Sequence, residues 1–229
     1  MADNIVRFLS EIFKDERILT LFVSCFPLIE LKGAIPIGLK AGLSLPVSAF
    51  LAYLGSTLVC IPLFFLLIPI FNLLKKIKPI KKLVEKIEAV LYGKAEKLAI
   101  NAKKGLDLKS MSEDEKQKRT INVLKKALLL FVAVPFPVTG VWTGTAIAVF
   151  LGLKFKDAIF ALSVGNLIAG GIITLLTFIA ADYIDMIIYC LMALAIIMLV
   201  IFIIKIARSP EKESKGQDNS DLKNKTMQK

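Results

Sequence analysis

The chain has 229 residues, 56% of them hydrophobic, a mean hydropathy of +0.70 and a formal net charge of +11. A soluble domain sits nearer about 45–50% apolar, and here the apolar residues fall in long blocks from which charge is absent. That partition excludes an ordinary soluble fold and suits a bilayer, whose ~30 Å hydrocarbon core takes about 20 apolar residues per helical span; no nucleic-acid-binding motif is present, so the basic balance points to the membrane surface.

Residues 1–17, MADNIVRFLSEIFKDER, are charged throughout and lack the apolar core and small-residue cleavage site of a secretory signal. Ile5, Phe8, Leu9, Ile12 and Phe13 share one helical face, which predicts an amphipathic helix lying at the membrane interface. Residues 18–74 begin with a short apolar stretch from Ile18 to Ile29, interrupted by Glu30 and Lys32. Gly33–Leu45 resumes it with Pro36, Gly38 and Gly42, and Pro46–Leu74 is long enough to span with tilt, despite Pro62 and Pro69.

Residues 75–126 form a basic connector, with 16 Lys/Arg against 7 Asp/Glu. Within it Ile80, Leu83, Val84, Ile87, Val90 and Leu91 keep helical spacing, so part of it is expected to rest on the bilayer, against anionic headgroups. Residues 127–181 then repeat the earlier order: a short apolar stretch to Val138, a break at TGVWTGT, a second apolar stretch and a span over Asp157–Ala181. The last span, 182–207, contains the uncharged run MIIYCLMALAIIMLVIFII from Met186 to Ile204, and the polar tail 208–229 reads as disordered. Cys25, Cys60 and Cys190 lie in apolar stretches of a chain without histidine. They read as packing residues, and neither metal nor other cofactor is expected.

The two halves align without a gap at an offset of 110 residues: Phe26 and Pro27 with Phe136 and Pro137, Ile37 with Ile147, Gly42 and Leu43 with Gly152 and Leu153, Phe50 with Phe160, Gly55 with Gly165. Shared glycine and proline mark shared backbone breaks. Charge orients the halves. Residues 1–45 are neutral (5 basic, 5 acidic), the connector is +9 (16 minus 7), Lys154 and Lys156 are basic, and residues 205–229 are +3 (7 minus 4). If 18–45 and 127–152 were full spans, Lys154, Lys156 and the tail would lie opposite the connector, which breaks the positive-inside rule twice. If each is a re-entrant hairpin, all of them are cytoplasmic, and the N-terminus, Asp182 and Asp185 are outside. The expected fold is therefore an all-α polytopic membrane protein of two inverted repeats, each a re-entrant helical hairpin followed by a transmembrane helix, with a C-terminal transmembrane helix. It would lie in the inner (cytoplasmic) membrane with its C-terminus cytoplasmic. Paired inverted breaks point to a binding site near the midplane.

The first hairpin tip, PLIELKGAIPIG from Pro27 to Gly38, holds Glu30 and Lys32, the only charges between Arg17 and Lys40. A charge at a helix centre costs roughly 2.5–3.5 kcal/mol on insertion scales, so one that is kept there is a candidate for function. Glu30 is a candidate proton carrier, and Lys32 its partner or a ligand for an anion; a purely structural pair is the alternative. Pro27, Gly33, Pro36 and Gly38 are expected to shape this tip. The second tip, PFPVTGVWTGT from Pro135 to Thr145, is shaped by Pro135, Pro137, Gly140 and Gly144. Thr139 and Thr143 are candidate substrate-binding or proton-coupling hydroxyls, and Thr139 is also a candidate cap for the helix that restarts after it. Trp142, the sole tryptophan, would stack on a substrate or anchor at the interface; Asn166 would bridge helices or bind substrate. Gly165, Ala169, Gly170 and Gly171 suggest close helix packing and a candidate homodimer seam.

ELKGAIPIG (Glu30–Gly38) and PFPVTGVWTG (Pro135–Gly144) resemble the two motifs of the small multidrug export protein family of bacteria and archaea, over about residues 20–181. Lys32 stands where arginine is more usual, and Val138 where glycine often stands. The family is similar in architecture to the DedA/VTT superfamily, which implies two facing re-entrant hairpins and a link to lipid-carrier translocation. The first reading is thus a small transporter, proton-coupled through Glu30, moving a lipid-linked or amphiphilic substrate between the hairpins. A multidrug exporter of lipophilic cations and a non-transporting membrane assembly protein are the alternatives. An enzyme is not expected, since no nucleophile–base pair or phosphate loop is visible.

Overall fold

The structure is a computed structural model that describes residues 12–103, 112–136 and 139–208. Most of the expected N-terminal amphipathic helix, the tail beyond Arg208, and Pro137 and Val138 of the second tip lie outside the described residues. Within them the chain is all helical, without a strand.

Asp15 opens α1 (Glu16–Ser24) by accepting hydrogen bonds from the Arg17 and Ile18 amides, at 2.7 and 3.4 Å. After a bend over 25–29 comes α2 (Glu30–Lys40). Then α3 (Leu45–Leu58) and α4 (Cys60–Leu74) form one nearly continuous 30-residue rod. Its irregularity at Val59 has a local cause: Pro62 has no N–H to give the Leu58 carbonyl. The connector forms α5 (Lys78–Lys103) and the start of α6 (Glu113–Ala133), which begins on a capping box between Ser112 and Glu115 and runs on into the apolar stretch. Hydrogen bonds from the Ser112 backbone and hydroxyl hold the Glu115 carboxyl below its usual range. α7 (Val141–Phe150), α8 (Phe155–Ile179), a 3₁₀ turn (Ala181–Tyr183) and α9 (Ile184–Arg208) complete the described chain.

Among the described residues three helical segments are long and apolar enough to cross a membrane: Leu45–Leu74, Phe155–Ile179 and Ala181–Ile201. Their outward faces carry Phe50, Phe65, Phe160, Phe178 and Ile179, exposed as only a lipid-facing surface tolerates. The protein is therefore a multi-pass membrane protein. The most enclosed elements are instead the two short helices: α2 is buried from Glu30 to Gly38 except at Gly33, and α7 at Val141 and from Gly144 to Ala148.

At an offset of 110 residues the turns that end α2 and α7 have matching hydrogen bonds. α2 ends with Leu43 N–H bonded to the Gly38 carbonyl (3.1 Å) and Gly42 at φ +107°; α7 ends with Leu153 N–H bonded to the Ala148 carbonyl (3.1 Å) and Gly152 at φ +66°. Both are Schellman turns, whose left-handed residue favours glycine. The next helix starts at an extended residue each time, Ser44 at ψ 149° and Lys154 at ψ 147°.

Close approaches at glycine fix how each half packs. A Cβ on Gly38 would meet the Thr20 and Ser48 hydroxyls, and one on Gly55 would meet the Ser24 hydroxyl and the Leu21 carbonyl. So α1 descends beside α3 from the level of Ser48 to that of Gly55, and α2 returns. In the second half Lys125 pairs with Asp157 at 2.7 Å, and Gly165 lies on the Leu129 carbonyl. The end of α6 therefore descends beside α8, and α7 returns. The two return helices end far apart. Lys40 of α2 pairs with Asp185 at the start of α9, while Phe150 of α7 packs on Phe71 and Tyr92 at ring separations of 6.5 and 6.1 Å. The length of α8 separates those two ends.

α5 does not offer its whole apolar face outward. Val84, Val90 and Ala95 are buried, Ala95 in a cluster with Leu128, Ile147 and Ala158; Leu83 and Tyr92 remain exposed. The small residues of α8 are also used within the chain: Gly165 on α6, Gly170 against Leu31, and Ala169 in the first core cluster. Gly171 alone of that group faces open space.

Candidate functional site

The two tips meet. Glu30 stands at the start of α2 with φ +48°, a left-handed conformation that costs a residue with a side chain on the order of 1–2 kcal/mol. Strain of this kind persists where surrounding contacts over-determine the residue, and here they do. The Glu30 carboxylate accepts a hydrogen bond from the backbone N–H of Trp142 (3.3 Å) and pairs with the Lys32 ammonium (3.1 Å). Lys32 in turn donates to the Phe136 carbonyl of the other tip (2.8 Å). Glu30 and Lys32 are each only 5% exposed.

The opposite tip is built to receive that carboxylate. α7 starts at Val141 with Gly140 before it, so its first amides have no partner within the helix. Those amides and the positive end of the helix dipole attract an anion, and Glu30 supplies it. Gly140 makes the approach possible: a Cβ there would lie 1.5 Å from Glu30 Oε2. Thr139 does not cap α7 as the sequence suggested. Its hydroxyl lies 2.8 Å from the carbonyls of Val134 and Phe136, which share its single proton, and so closes its own bend. The place of a cap is taken by a side chain 112 residues away in sequence.

Lys32 and Trp142, 110 residues apart, each donate to a backbone carbonyl of the opposite half: Lys32 to that of Phe136, and the Trp142 indole N–H to that of Cys25 at 3.0 Å. Trp142 is thus held between the tips. Thr143 lies half-buried in the same first turn of α7.

Other predicted residues fall elsewhere. Asn166 lies where α8 crosses α3 and donates from its amide nitrogen to the hydroxyls of Ser56 (2.8 Å) and Thr57 (3.0 Å), which is the helix-bridging arrangement. Pro36 and Gly38 lie within α2 and not in the bend. A proline there removes only the donor to the Lys32 carbonyl, and the burial of Ala34, Ile35 and Ile37 around it holds the helix together. Gly33 and Gly144 likewise lie inside α2 and α7, Gly144 against Val132 and Leu162. Pro27 is exposed in the first bend and Pro135 half-exposed in the second. Ser56, Thr57 and the carbonyls of Cys25 and Phe136 were not singled out from sequence. Ser56 was within reach, since the offset of 110 pairs it with Asn166.

Among the described residues no cluster of His, Cys, Asp and Glu could hold a metal ion. The family described as "Putative small multi-drug export protein" matches residues 30–173, more than half of the chain, including the second tip and the first from Glu30 onward. No curated protein and no solved structure matches it.

Proposed function

The chain belongs to the small multi-drug export family, and from that premise we propose that it is a transporter whose site is the clasp between two re-entrant hairpins of inverted repeats. The observation that carries this reading is the buried Glu30–Lys32 pair, bound to the opposite tip through Trp142 and Phe136. An ionised pair of this kind is weak as a source of stability, because desolvation opposes the Coulomb attraction. Its retention at membrane depth fits a role in binding or proton coupling.

The inverted arrangement draws support from three features. The helix starts of α2 and α7 meet, while their ends lie at Asp185 and at Phe71 and Tyr92, the two ends of α8. At about 1.5 Å per residue, 11 and 10 residues give α2 and α7 roughly half a bilayer each. Residues related by a two-fold axis touch each other only near that axis, and Glu30–Gly140 and Ser56–Asn166 are touching pairs at an offset of 110.

The clasp suggests how binding and protonation are linked. Ionised Glu30 fills the start of α7 and neutralises Lys32. Once Glu30 carries a proton, the Trp142 amide and Lys32 are free to hold an anionic headgroup in its place. An anion and a proton then favour each other's binding, as linkage requires. The favoured substrate is an amphiphile with an anionic head, such as a lipid-linked phosphate. A lipophilic cation taking the place of Lys32 beside Trp142 is the second reading, and the export family favours it.

The test is transport in proteoliposomes under an imposed pH gradient, wild type beside Glu30→Gln, with a fluorescent polyprenyl-phosphate analogue and a lipophilic cation assayed in parallel. Gradient-dependent movement of the phosphate, lost in Glu30→Gln, is expected. Movement of the cation alone would select the second reading. Movement of neither by folded, inserted protein would leave the clasp as an assembly lock.

A further inference from the structure

A second place in the molecule has the chemistry of a ligand site. A cavity of about 240 Å³ opens between α6 and α8, lined by Asn122, Lys125, Lys126, Leu129, Phe160 and Ala161. Asn122, Lys125, Lys126 and Leu129 are spaced i, i+3, i+4, i+7, so they share one helical face. That face changes character along its length. It is polar through Lys126 and apolar from Leu129, where α6 passes from the charged connector into the hydrocarbon-facing stretch.

The polar end is positively charged and partly fixed in place. Lys125 pairs with Asp157 at 2.7 Å and stands 5.5 Å above the Phe160 ring, an arrangement that immobilises the ammonium at the lip of the cavity. Lys126 is exposed beside it, and Lys154 and Lys156 flank the same end of α8. Asp157 offsets one charge and leaves the lip net positive. At the apolar end the Phe160 ring is 58% exposed beside Leu129. A free soluble anion would meet the lysines but gain nothing from that wall. A molecule with an anionic head and an acyl chain satisfies both ends.

We propose that this cavity is a binding site for an anionic phospholipid of the surrounding bilayer, its phosphate held by Asn122, Lys125 and Lys126 and its first methylenes against Leu129 and Phe160. The site is separate from the tip clasp and does not depend on what the clasp transports. Basic pockets between helices at the membrane surface are suited to such headgroups.

The experiment is native mass spectrometry of the full chain in detergent, titrated with phosphatidylglycerol and with phosphatidylcholine of the same chain length. The expected result is a preference for phosphatidylglycerol that falls about fivefold for each lysine removed in Lys125→Gln and Lys126→Gln. Lys126→Arg should keep the preference, and Lys97→Gln, exposed on α5, should leave it unchanged. Because Lys125→Gln also unpairs Asp157, Lys126→Gln is the deciding variant if the former does not fold. Equal loss in Lys97→Gln would reduce the effect to diffuse surface charge and overturn the proposal. So would displacement of the lipid by an equal concentration of inorganic phosphate, which would mark a soluble-anion site.

Discussion

The first half brings the charges of the clasp in side chains, and the second receives them with backbone groups. Glu30 and Lys32 supply the charges; Gly140, the Trp142 amide and the Phe136 carbonyl supply the groups that receive them. Yet away from the tips the halves keep the same Schellman turn at the same offset. The contrast has a steric origin. At the closest of the meeting pairs only one position has room for a side chain: the space next to Gly140 is occupied by the Glu30 carboxylate, whereas Ser56 and Asn166 meet through both side chains. Where equivalent positions are far apart, as at Gly42 and Gly152, nothing forces them to differ. In our reading the site is asymmetric because it lies where the halves touch.

That comparison can be broken most severely at Lys32. Lys32→Met leaves Glu30 buried with only the Trp142 amide, and a loss of about 3 kcal/mol in stability is expected, since unpairing a buried charge is costly. The double variant Glu30→Gln/Lys32→Met should recover most of it. Thermal unfolding in detergent measures both, and equal losses in the two variants would mean that the pair is not coupled. Gly140→Ala comes next. Overlap with Glu30 should cost about 1–3 kcal/mol and open the clasp. The same substitution made in a Glu30→Ala background should be nearly neutral.

Smaller effects sharpen the likeness of the halves. Gly42→Ala and Gly152→Ala should each cost about 1 kcal/mol through the positive φ alone, because a Cβ at either position meets open space. Clearly unequal costs would count against equivalent turns. The smallest effect lies outside the span. The Glu115 carboxyl is held low in the folded chain, so its support of the α6 start is complete above the usual carboxyl range and fades as pH falls below it. Amide exchange at residues 113–116 should therefore accelerate at acid pH, and Glu115→Gln should remove that dependence.

Much of this was legible in the chain itself. An uncharged run from Met186 to Ile204 has no alternative to a membrane, and the charge runs lie outside the spans because hydrocarbon excludes them. Gly42 and Gly152 announced the shared turn, because few residues other than glycine adopt φ above zero cheaply. Glu30 and Lys32 were visible as charges with no reason to be where they are. These signals are local. Each depends on a residue and its neighbours within a turn or a span.

What local signals could not decide was where each group's partner lies. Thr139 had the sequence of a cap, but the start of α7 went to a carboxylate from the other half of the chain. Pro36 had the sequence of a break, but burial kept α2 continuous through it. Gly165 and Gly170 had the sequence of a dimer seam and were filled from within the chain. Hydropathy and backbone propensity determined that this chain enters a bilayer, and glycine marked the turns after α2 and α7. Only the tertiary structure decided that Glu30 rests on Gly140, because that contact depends on how two distant segments pack and on the absence of a single Cβ.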